Sequence, residues 1–429
     1  MAKFRKLSGL ILLLLIFAPL DCLFASNNSL EKLIESAVKN NPGLRSAYHN
    51  WKSSRAAIVG NTALADPVVN FRHNLEPVQT RTGEQNQVLT ISQMLPYPGK
   101  QKAAIRIHRQ MARNDELEYE IKLRNLIIDL KKSFAEIWFL KKAMAMASLN
   151  NQLLTSINKE VTSSGEPISL APVLKAQSQM VQAANDLINY SELLAVEIAN
   201  LKSLTGLREI DQAMFLELPV FDLPATNTEL IKESLEQRLE ILKSQNNEKI
   251  ARTKVRLARF ESRPDFVVGF SQALTGSRPD MDKVYLKGEG TDPTGIFVQM
   301  NLPVWQSKNR SKIREASEKE LAAKAAIEAE KLNTEAGVIK RWFNAQNRKR
   351  VYEIYRKTIL PQAEAAVKSA QSIYQNDVSK FSDYFETMAN YYALKTAAYR
   401  AEADYFISVC ELERFASTPI PVAKKEASK

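Results

Sequence analysis

The residues that most often carry catalysis or bind metals are sparse in this chain and lack the spacing that such sites need. The 429 residues include three histidines, His49, His73 and His108, and none has a second ligand at metal-binding spacing. Residues 288–290 (Gly-Glu-Gly) are too short for a phosphate-binding loop, and no Gly-x-Ser-x-Gly nucleophile motif occurs. We therefore expect no catalytic residue, no cofactor and no metal site, and hence no enzyme.

Acidic residues between residues 275 and 293 offer one possible set of ligands for calcium. Carboxylates suit calcium, but acidic residues in a surface loop are usually solvated. We interpret the set as solvated loop residues. Its members are Asp280, Asp282, Glu289 and Asp292.

The N-terminus has the layout of a secretory signal peptide. Basic residues precede an apolar run at residues 10–17, and Ala25-Ser26 supplies a small-residue cleavage point. The run is shorter than the roughly 20 apolar residues of a spanning helix. We expect the mature chain to be exported. Cys22 could instead be lipidated after cleavage, but Asp21 stands where a lipoprotein signal has a small residue, so lipidation is disfavoured.

The charge balance is basic, with 59 Lys and Arg against 48 Asp and Glu and a formal net charge of +11. No Lys/Arg cluster with interleaved aromatic residues appears, and charges of both signs occur along the helical faces. We interpret the charge as solvated helix surface and expect no nucleic-acid partner. Cys410 is the single cysteine left after signal removal, so packing must stabilise the fold.

Four short segments alternate with the period of two that is typical of half-buried strands. They are residues 68–73, 88–94, 266–271 and 296–302. The second pair follows the first after about two hundred residues, which indicates an internal duplication. Two interpretations stay open from the pattern alone: a small water-soluble sheet, or strands that cross a membrane.

Long helical patterns follow each strand pair. Residues 100–161 and 309–375 contain no strong breaker except Gly337 and Pro361. Each pattern could extend about 90 to 100 Å at about 1.5 Å per residue. We expect Pro361 to bend its helix, because proline removes one backbone hydrogen bond.

The end of the chain, residues 354–415, has the pattern of two helices folded back through a tip at residues 375–378. Aromatic residues on the second arm fall seven residues apart, which indicates a coiled-coil seam. They are Phe385, Tyr392, Tyr399 and Phe406.

This hairpin resembles the C-terminal hairpin of the TolC family of outer-membrane efflux proteins. The likeness rests on residues 359–364 (Ile-Leu-Pro-Gln-Ala-Glu), Ile373-Tyr374, Asp383 and Leu412-Glu413. Residues 93–100 also resemble the junction between barrel and long helix in members that work with exporters of the resistance-nodulation-division (RND) type. The resemblance covers about residues 29–417.

The resemblance implies an α+β membrane channel with a duplicated helix-strand-strand-helix repeat. Each subunit of a homotrimer would contribute four strands to a 12-stranded β-barrel, which continues into a long α-helical coiled-coil barrel. The expected location is the Gram-negative outer membrane, with the helical barrel in the periplasm. The expected function is passive export of metal ions or drugs delivered by an inner-membrane RND-type pump and a periplasmic adaptor (membrane fusion) protein.

The same resemblance divides the chain. The expected parts are a signal peptide at 1–25, a first repeat at 26–206, a linker at 207–227, a second repeat at 228–417 and a flexible tail at 418–429. The strand loops at residues 76–85 and 275–293 would be extracellular.

Site residues also follow from the resemblance. The periplasmic gate and adaptor-docking tips would include Gly165, Asn376, Asp377, Lys380 and Asp383. Asp377 stands where relatives usually have glycine. The expected lipid-facing strand residues are Phe266, Val268, Phe270, Ile296, Val298 and Met300.

A non-pore periplasmic coiled-coil adaptor or interaction protein is the alternative. Adaptors typically have one helical hairpin inserted into a lipoyl-like domain. This chain has two hairpins and duplicated strand pairs, which favours the channel.

Overall fold

A computed structural model describes most of the chain. The described residues are 27–80, 83–163, 170–211, 215, 217–219, 221–224, 226–276, 290–376 and 381–421. The first half contains α1 (Asn27–Asn40), α2 (Pro42–Gly60), β1 (Val68–Thr80), β2 (Gly83–Leu95), α3 (Lys100–Ser163) and α4 (Leu170–Thr205). The second contains α5 (Thr228–Gln237), α6 (Leu239–Glu261), β3 (Phe266–Thr275), β4 (Thr294–Met300), α7 (Gln306–Ile354), a π-helical segment (Tyr355–Ile359), α8 (Leu360–Asn376) and α9 (Phe381–Ala416).

The two halves repeat the same order of elements. In each, two short helices precede a strand pair, and two long helical arms follow it. The short helices meet at Asn41 in the first half and at Arg238 in the second, where the backbone is extended in both cases. The Asn41 side chain accepts a hydrogen bond from the N–H of Leu44 at 2.8 Å and donates one to the carbonyl of Leu204 at 2.9 Å. Asn41 therefore caps α2 and also fixes its position against the end of α4.

The four strands form one antiparallel sheet in the order β1-β2-β3-β4. β1 and β2 are longer than the sequence predicts, so the expected loop at residues 76–85 is wrong for most of its length. The pairing register shifts between His73 and Val78, and Pro77 lies within that shift. A bulge of this kind breaks the alternation, and for that reason the pattern predicts too early an end for β1.

The long arms agree with the helical patterns. α3 has 64 residues, which corresponds to about 96 Å at about 1.5 Å per residue. The disturbance expected at Pro361 takes the form of a π-helical turn, Tyr355–Ile359, directly before it. Such a turn changes the hydrogen-bonding pattern where proline supplies no N–H.

The main hydrophobic core lies where α3, α9 and the segment between the repeats meet. Phe134 packs against Phe215 with ring centroids 4.9 Å apart, and the Tyr405 hydroxyl donates a hydrogen bond to the carbonyl of Phe221 at 2.9 Å. The expected linker is therefore held in the core at these points.

The beginning of the expected flexible tail is also packed, which corrects that expectation for residues 418–421. Ile420 is buried, and its N–H donates to Glu413 Oε1 at 3.0 Å. The N–H of Asp222 donates to the carbonyl of Pro421 at 2.9 Å. Residues 422–429 lie outside the described part.

Because Gly337 has no side chain, the Phe415 ring can pack directly against α7. A Cβ atom at residue 337 would lie 2.0 Å from Cε1 of that ring. The guanidinium groups of Arg238 and Arg341 lie over the same ring, 3.9 and 3.7 Å from its centroid. Glycine is thus required by a close approach that brings two helices and two cations around one aromatic side chain.

Gly337→Ala should destabilise the protein by about 1 to 3 kcal/mol, because the ring and both guanidinium groups must move. Chemical denaturation of the purified protein in detergent, followed by circular dichroism, measures the change. Gly60→Ala is the matched control, since a Cβ atom there meets nothing within 4 Å. Equal effects of the two substitutions would contradict this account.

Candidate functional site

The register of the sheet brings the six expected lipid-facing residues onto one face. Phe266 pairs with Met300, Val268 with Val298 and Phe270 with Ile296. Direct cross-strand partners in an antiparallel sheet share a face. Ile296, Val298 and Met300 are exposed by 81%, 67% and 54%. That this face contacts lipid stays a prediction.

The first strand pair extends the apolar face. Ile91 pairs with Phe270 and with Val69, and Leu89 pairs with Phe71. All four residues from β1 and β2 are exposed. The sequence analysis did not assign them to this face, although the repeat relates the two strand pairs and could have identified them.

The opposite face of the sheet is polar over much of its area. It includes Asn70, Thr90, Ser92, Ser271 and Gln299, whose register places them between the apolar residues. On this face the Phe297 ring lies over Gly269, where a Cβ atom would be 2.2 Å from the ring. The same face also carries apolar residues such as Val68, Met94 and Val267, so the sheet has one mainly apolar face and one mixed face. A difference in polarity between the two faces is expected for a sheet between lipid and water.

A carboxylate at the end of the sheet joins the two repeats. Both Asp265 oxygens accept hydrogen bonds from Lys100 Nζ at 2.7 Å, and Oδ1 also accepts one from the N–H of Tyr97 at 2.7 Å. Lys100 begins α3 in the first repeat, whereas Asp265 precedes β3 in the second. This ion pair therefore fixes the angle at which the sheet passes into the helices.

The expected gate residues are only partly within the described chain. Gly165, Asp377 and Lys380 lie outside it. Asn376 ends α8 and donates a hydrogen bond to the carbonyl of Ser372 at 2.8 Å, and Asp383 is exposed in the first turn of α9. Close to the tip the rings of Tyr374 and Tyr384 stack with centroids 5.4 Å apart. The stacking aligns the two arms, and the gating role of the tip stays a prediction.

Ion pairs connect α9 with the middle of α3. Arg400 donates to both carboxylate oxygens of Glu136 at 2.7 and 2.9 Å. Further pairs between the two helices are Lys132–Glu411 at 2.7 Å, Lys131–Glu413 at 2.6 Å and Arg414–Asp129. Within the aromatic seam Phe385 and Phe406 are buried, and Tyr399 meets Trp138 edge-on at 5.7 Å. Apolar and charged contacts together fix the register of this antiparallel pair.

Glu402 is a largely buried carboxyl group on α9. Burial raises the pKa of Glu402 to about 6, against the opposing effects of Arg356 and Lys142 and with a smaller contribution from Glu217. These three groups lie on the π-helical segment, α3 and the linker. The sequence analysis placed Glu402 in no site, since its burial depends on all three elements.

The described residues offer no group of three or more His, Cys, Asp or Glu side chains that could hold a metal ion. Of the acidic loop set, Asp292 accepts a hydrogen bond from the N–H of Thr275 at 2.8 Å, and the other three residues fall outside the described part. No helix among the described residues is both long and apolar enough to cross a membrane.

Comparison with known proteins identifies the second half of the chain. Residues 230–416 match the family model for outer membrane efflux proteins. The chain carries an outer membrane efflux protein domain. No curated protein matches the chain at a significant level.

Solved outer-membrane channels have the same fold. The open-state channel MtrE of Neisseria gonorrhoeae is 17% identical, with a TM-score of 0.73 over 90% of this chain and 88% of that one. VceC of Vibrio cholerae is 17% identical, with a TM-score of 0.71 over 90% and 95%. CusC is 15% identical, with a TM-score of 0.71 over 91% and 92%. The TolC-like α+β fold expected from the sequence is confirmed.

Val268→Arg should destabilise the membrane-assembled protein by about 2 to 4 kcal/mol, because it puts a charge on the face expected to contact lipid. Folding into lipid vesicles, measured by heat-modified gel mobility, tests this. Val267→Arg is the control, because Val267 is the adjacent residue of β3 and points to the opposite face of the sheet. If the two variants assemble equally well, the assignment of the lipid face is wrong.

Glu402 should make stability depend on pH. The pKa of Glu402 is raised above its ordinary value of 4.5, so the folded protein binds the proton more tightly than the unfolded chain. Its contribution is complete below pH 4.5 and is lost as the pH rises through about 6, a change of about 2 kcal/mol. Glu402→Gln should therefore be more stable than wild type at pH 7.5 and nearly equal to it at pH 4.5. If the difference in unfolding free energy between the two proteins is the same at both pH values, the assignment is wrong.

Proposed function

We propose that the protein is the outer-membrane channel-tunnel of a tripartite efflux system. The observation that carries the proposal is the sheet, which has one exposed apolar face and two edges, β1 and β4, that pair with no strand in the described chain. Unpaired backbone N–H and C=O groups are costly in lipid, so a sheet of this kind must close on itself or on other copies. The long helices that continue from the sheet would form the tunnel.

Closure by three copies gives a homotrimer with twelve strands, as the resemblance to the TolC family implies. β4 of one copy would pair with β1 of the next, which removes every sheet edge. The helices of the three copies would then surround a common axis. We place the barrel in the Gram-negative outer membrane and the helical part in the periplasm, after removal of a signal peptide at residues 1–25.

Transport through such a channel is passive. An inner-membrane pump of the RND type would supply the free energy and a periplasmic adaptor would connect it to the helix tips. Metal ions and drugs are the proposed substrate classes. The proposed domains are the two repeats at residues 26–206 and 228–417, joined by the linker at 207–227.

The sheet also separates this proposal from the alternative of a non-pore adaptor. An adaptor in water would need another surface to cover the apolar face formed by residues such as Phe71, Ile296 and Val298, which the described part of this chain leaves exposed. The antiparallel four-stranded meander built from both repeats supports a membrane-inserted sheet.

Single-channel recording in planar lipid bilayers tests the function directly. The purified full-length protein should migrate as a heat-sensitive trimer and produce discrete conductance steps. Cells that lack it should become more sensitive to a class of exported compounds, such as metals, dyes, bile salts or antibiotics. A freely soluble monomer without conductance would exclude the channel.

The gate proposal has its own test. Three copies of Asp377 and Asp383 would form acidic rings at the tips, and such rings favour cations. Asp377→Asn with Asp383→Asn should reduce cation selectivity and alter conductance. Glu386→Gln on the same arm is the control for loss of negative charge. If conductance, selectivity and export are all unchanged, the acidic rings have no gating role and the tips serve only as adaptor contacts.

A further inference from the structure

The positive charge of the protein is concentrated at one level of the molecule, next to the sheet. Residues 50–67, 96–113, 250–265 and 301–314 contain sixteen Lys and Arg but three Asp and Glu. These segments therefore carry a formal charge of +13 and the rest of the chain carries −2, which together give the net charge of +11. The positive charge is therefore unevenly distributed along the chain.

These segments adjoin the sheet in the fold. They contain the end of α2, the start of α3, the end of α6 and the start of α7, and each leads directly into or out of a strand. α3 packs against both α2 and α6, and α6 packs against α7. The four helix ends thus form one basic band at the helical end of the sheet, here called the basic collar.

Twelve of the sixteen basic residues of the collar have no carboxylate within 4.0 Å in the described chain, whereas Lys100, Arg113, Arg252 and Lys312 are paired. On α7, Lys308, Arg310 and Arg314 are exposed, and none has a carboxylate within 4.0 Å in the described chain, although Lys312 lies 3.6 Å from Glu261. Basic residues at every second position of a helix point successively to different sides of it. The exposed basic residues of α7 therefore lie on more than one side of the helix.

The order of side chains along β4 and α7 matches the layers of a membrane surface. Exposed apolar residues of β4 come first, then Trp305, which is 73% exposed, and then the basic residues from Lys308 onward. Tryptophan prefers the boundary between hydrocarbon and headgroups, and lysine and arginine prefer anionic headgroups. A single stretch of fewer than twenty residues thus passes through all three environments.

We propose that the basic collar binds the anionic headgroups of phospholipids in the membrane leaflet on the helical side of the sheet. The proposal rests on the membrane insertion of the sheet proposed above. Charge complementarity and direct continuity with the apolar face identify lipid as the partner. The contacts set how deep the sheet lies and which lipids surround the channel.

Lipid binding to the purified trimer tests the collar. The collar variant combines Lys308→Gln, Arg310→Gln, Lys312→Gln and Arg314→Gln. The control removes the same number of charges further along the same helix, with Lys319→Gln, Lys324→Gln, Lys331→Gln and Lys340→Gln. Fluorescent phosphatidylglycerol and phosphatidylcholine are the probes, and conductance in phosphatidylcholine bilayers is recorded in parallel.

Wild type and control should prefer phosphatidylglycerol by about tenfold or more at low salt, and the collar variant should lose most of that preference. High salt should reduce the preference of wild type, because it screens the charges. Retained preference in the collar variant, or an equal loss in the control, would overturn the proposal. So would altered ion selectivity with unchanged lipid preference, which would assign the charges to the channel lumen.

The same experiment separates this proposal from the channel function. Normal wild-type conductance without lipid preference would reject the collar alone. Absence of insertion and conductance in any bilayer would reject both.

Discussion

The rest of this structure depends on a sheet with one exposed apolar face and two edges, β1 and β4, that pair with no strand in the described part of the chain. Each backbone group at an edge needs a partner before it can leave water, and the four strands cannot supply those partners themselves. In the proposed channel, assembly of several copies is therefore part of folding. The polar side chains on the other face, such as Thr90 and Gln299, would then be directed toward the enclosed water.

The helical part of the chain has to keep very long arms in a fixed alignment. Apolar packing alone tolerates sliding between helices, because similar side chains recur every turn. Charge pairs such as Arg400–Glu136 and the packing of Phe415 onto Gly337 occur only at one alignment. The Asp265–Lys100 pair transmits that alignment to the sheet, because it connects the start of α3 with the strand of the other repeat.

Periodicity and family resemblance predicted the strands, the long helices and the order of elements, since all of these depend on local sequence. The length of β1 was missed because Pro77 and the bulge interrupt the alternation. Contacts between residues far apart in the chain were also missed, and Asp265 with Lys100 is an example. The basic collar has no single local signal either, because folding brings its four segments together. The roles proposed for the tip residues Asp377 and Lys380 rest on the sequence alone, because both residues lie outside the described part of the chain.

The π-helical turn at Tyr355–Ile359 shifts the side-chain phase within the arm formed by α7 and α8. A turn with i to i+5 hydrogen bonds holds about one residue more than an α-helical turn, so side chains after it are rotated by roughly 100° about the helix axis. α7 and α8 are continuous along the chain, yet the stripes that they present to α9 belong to two different phases. A heptad frame counted from Gln306 therefore fails beyond Ile359, and the positions of α8 have to be counted afresh from Leu360.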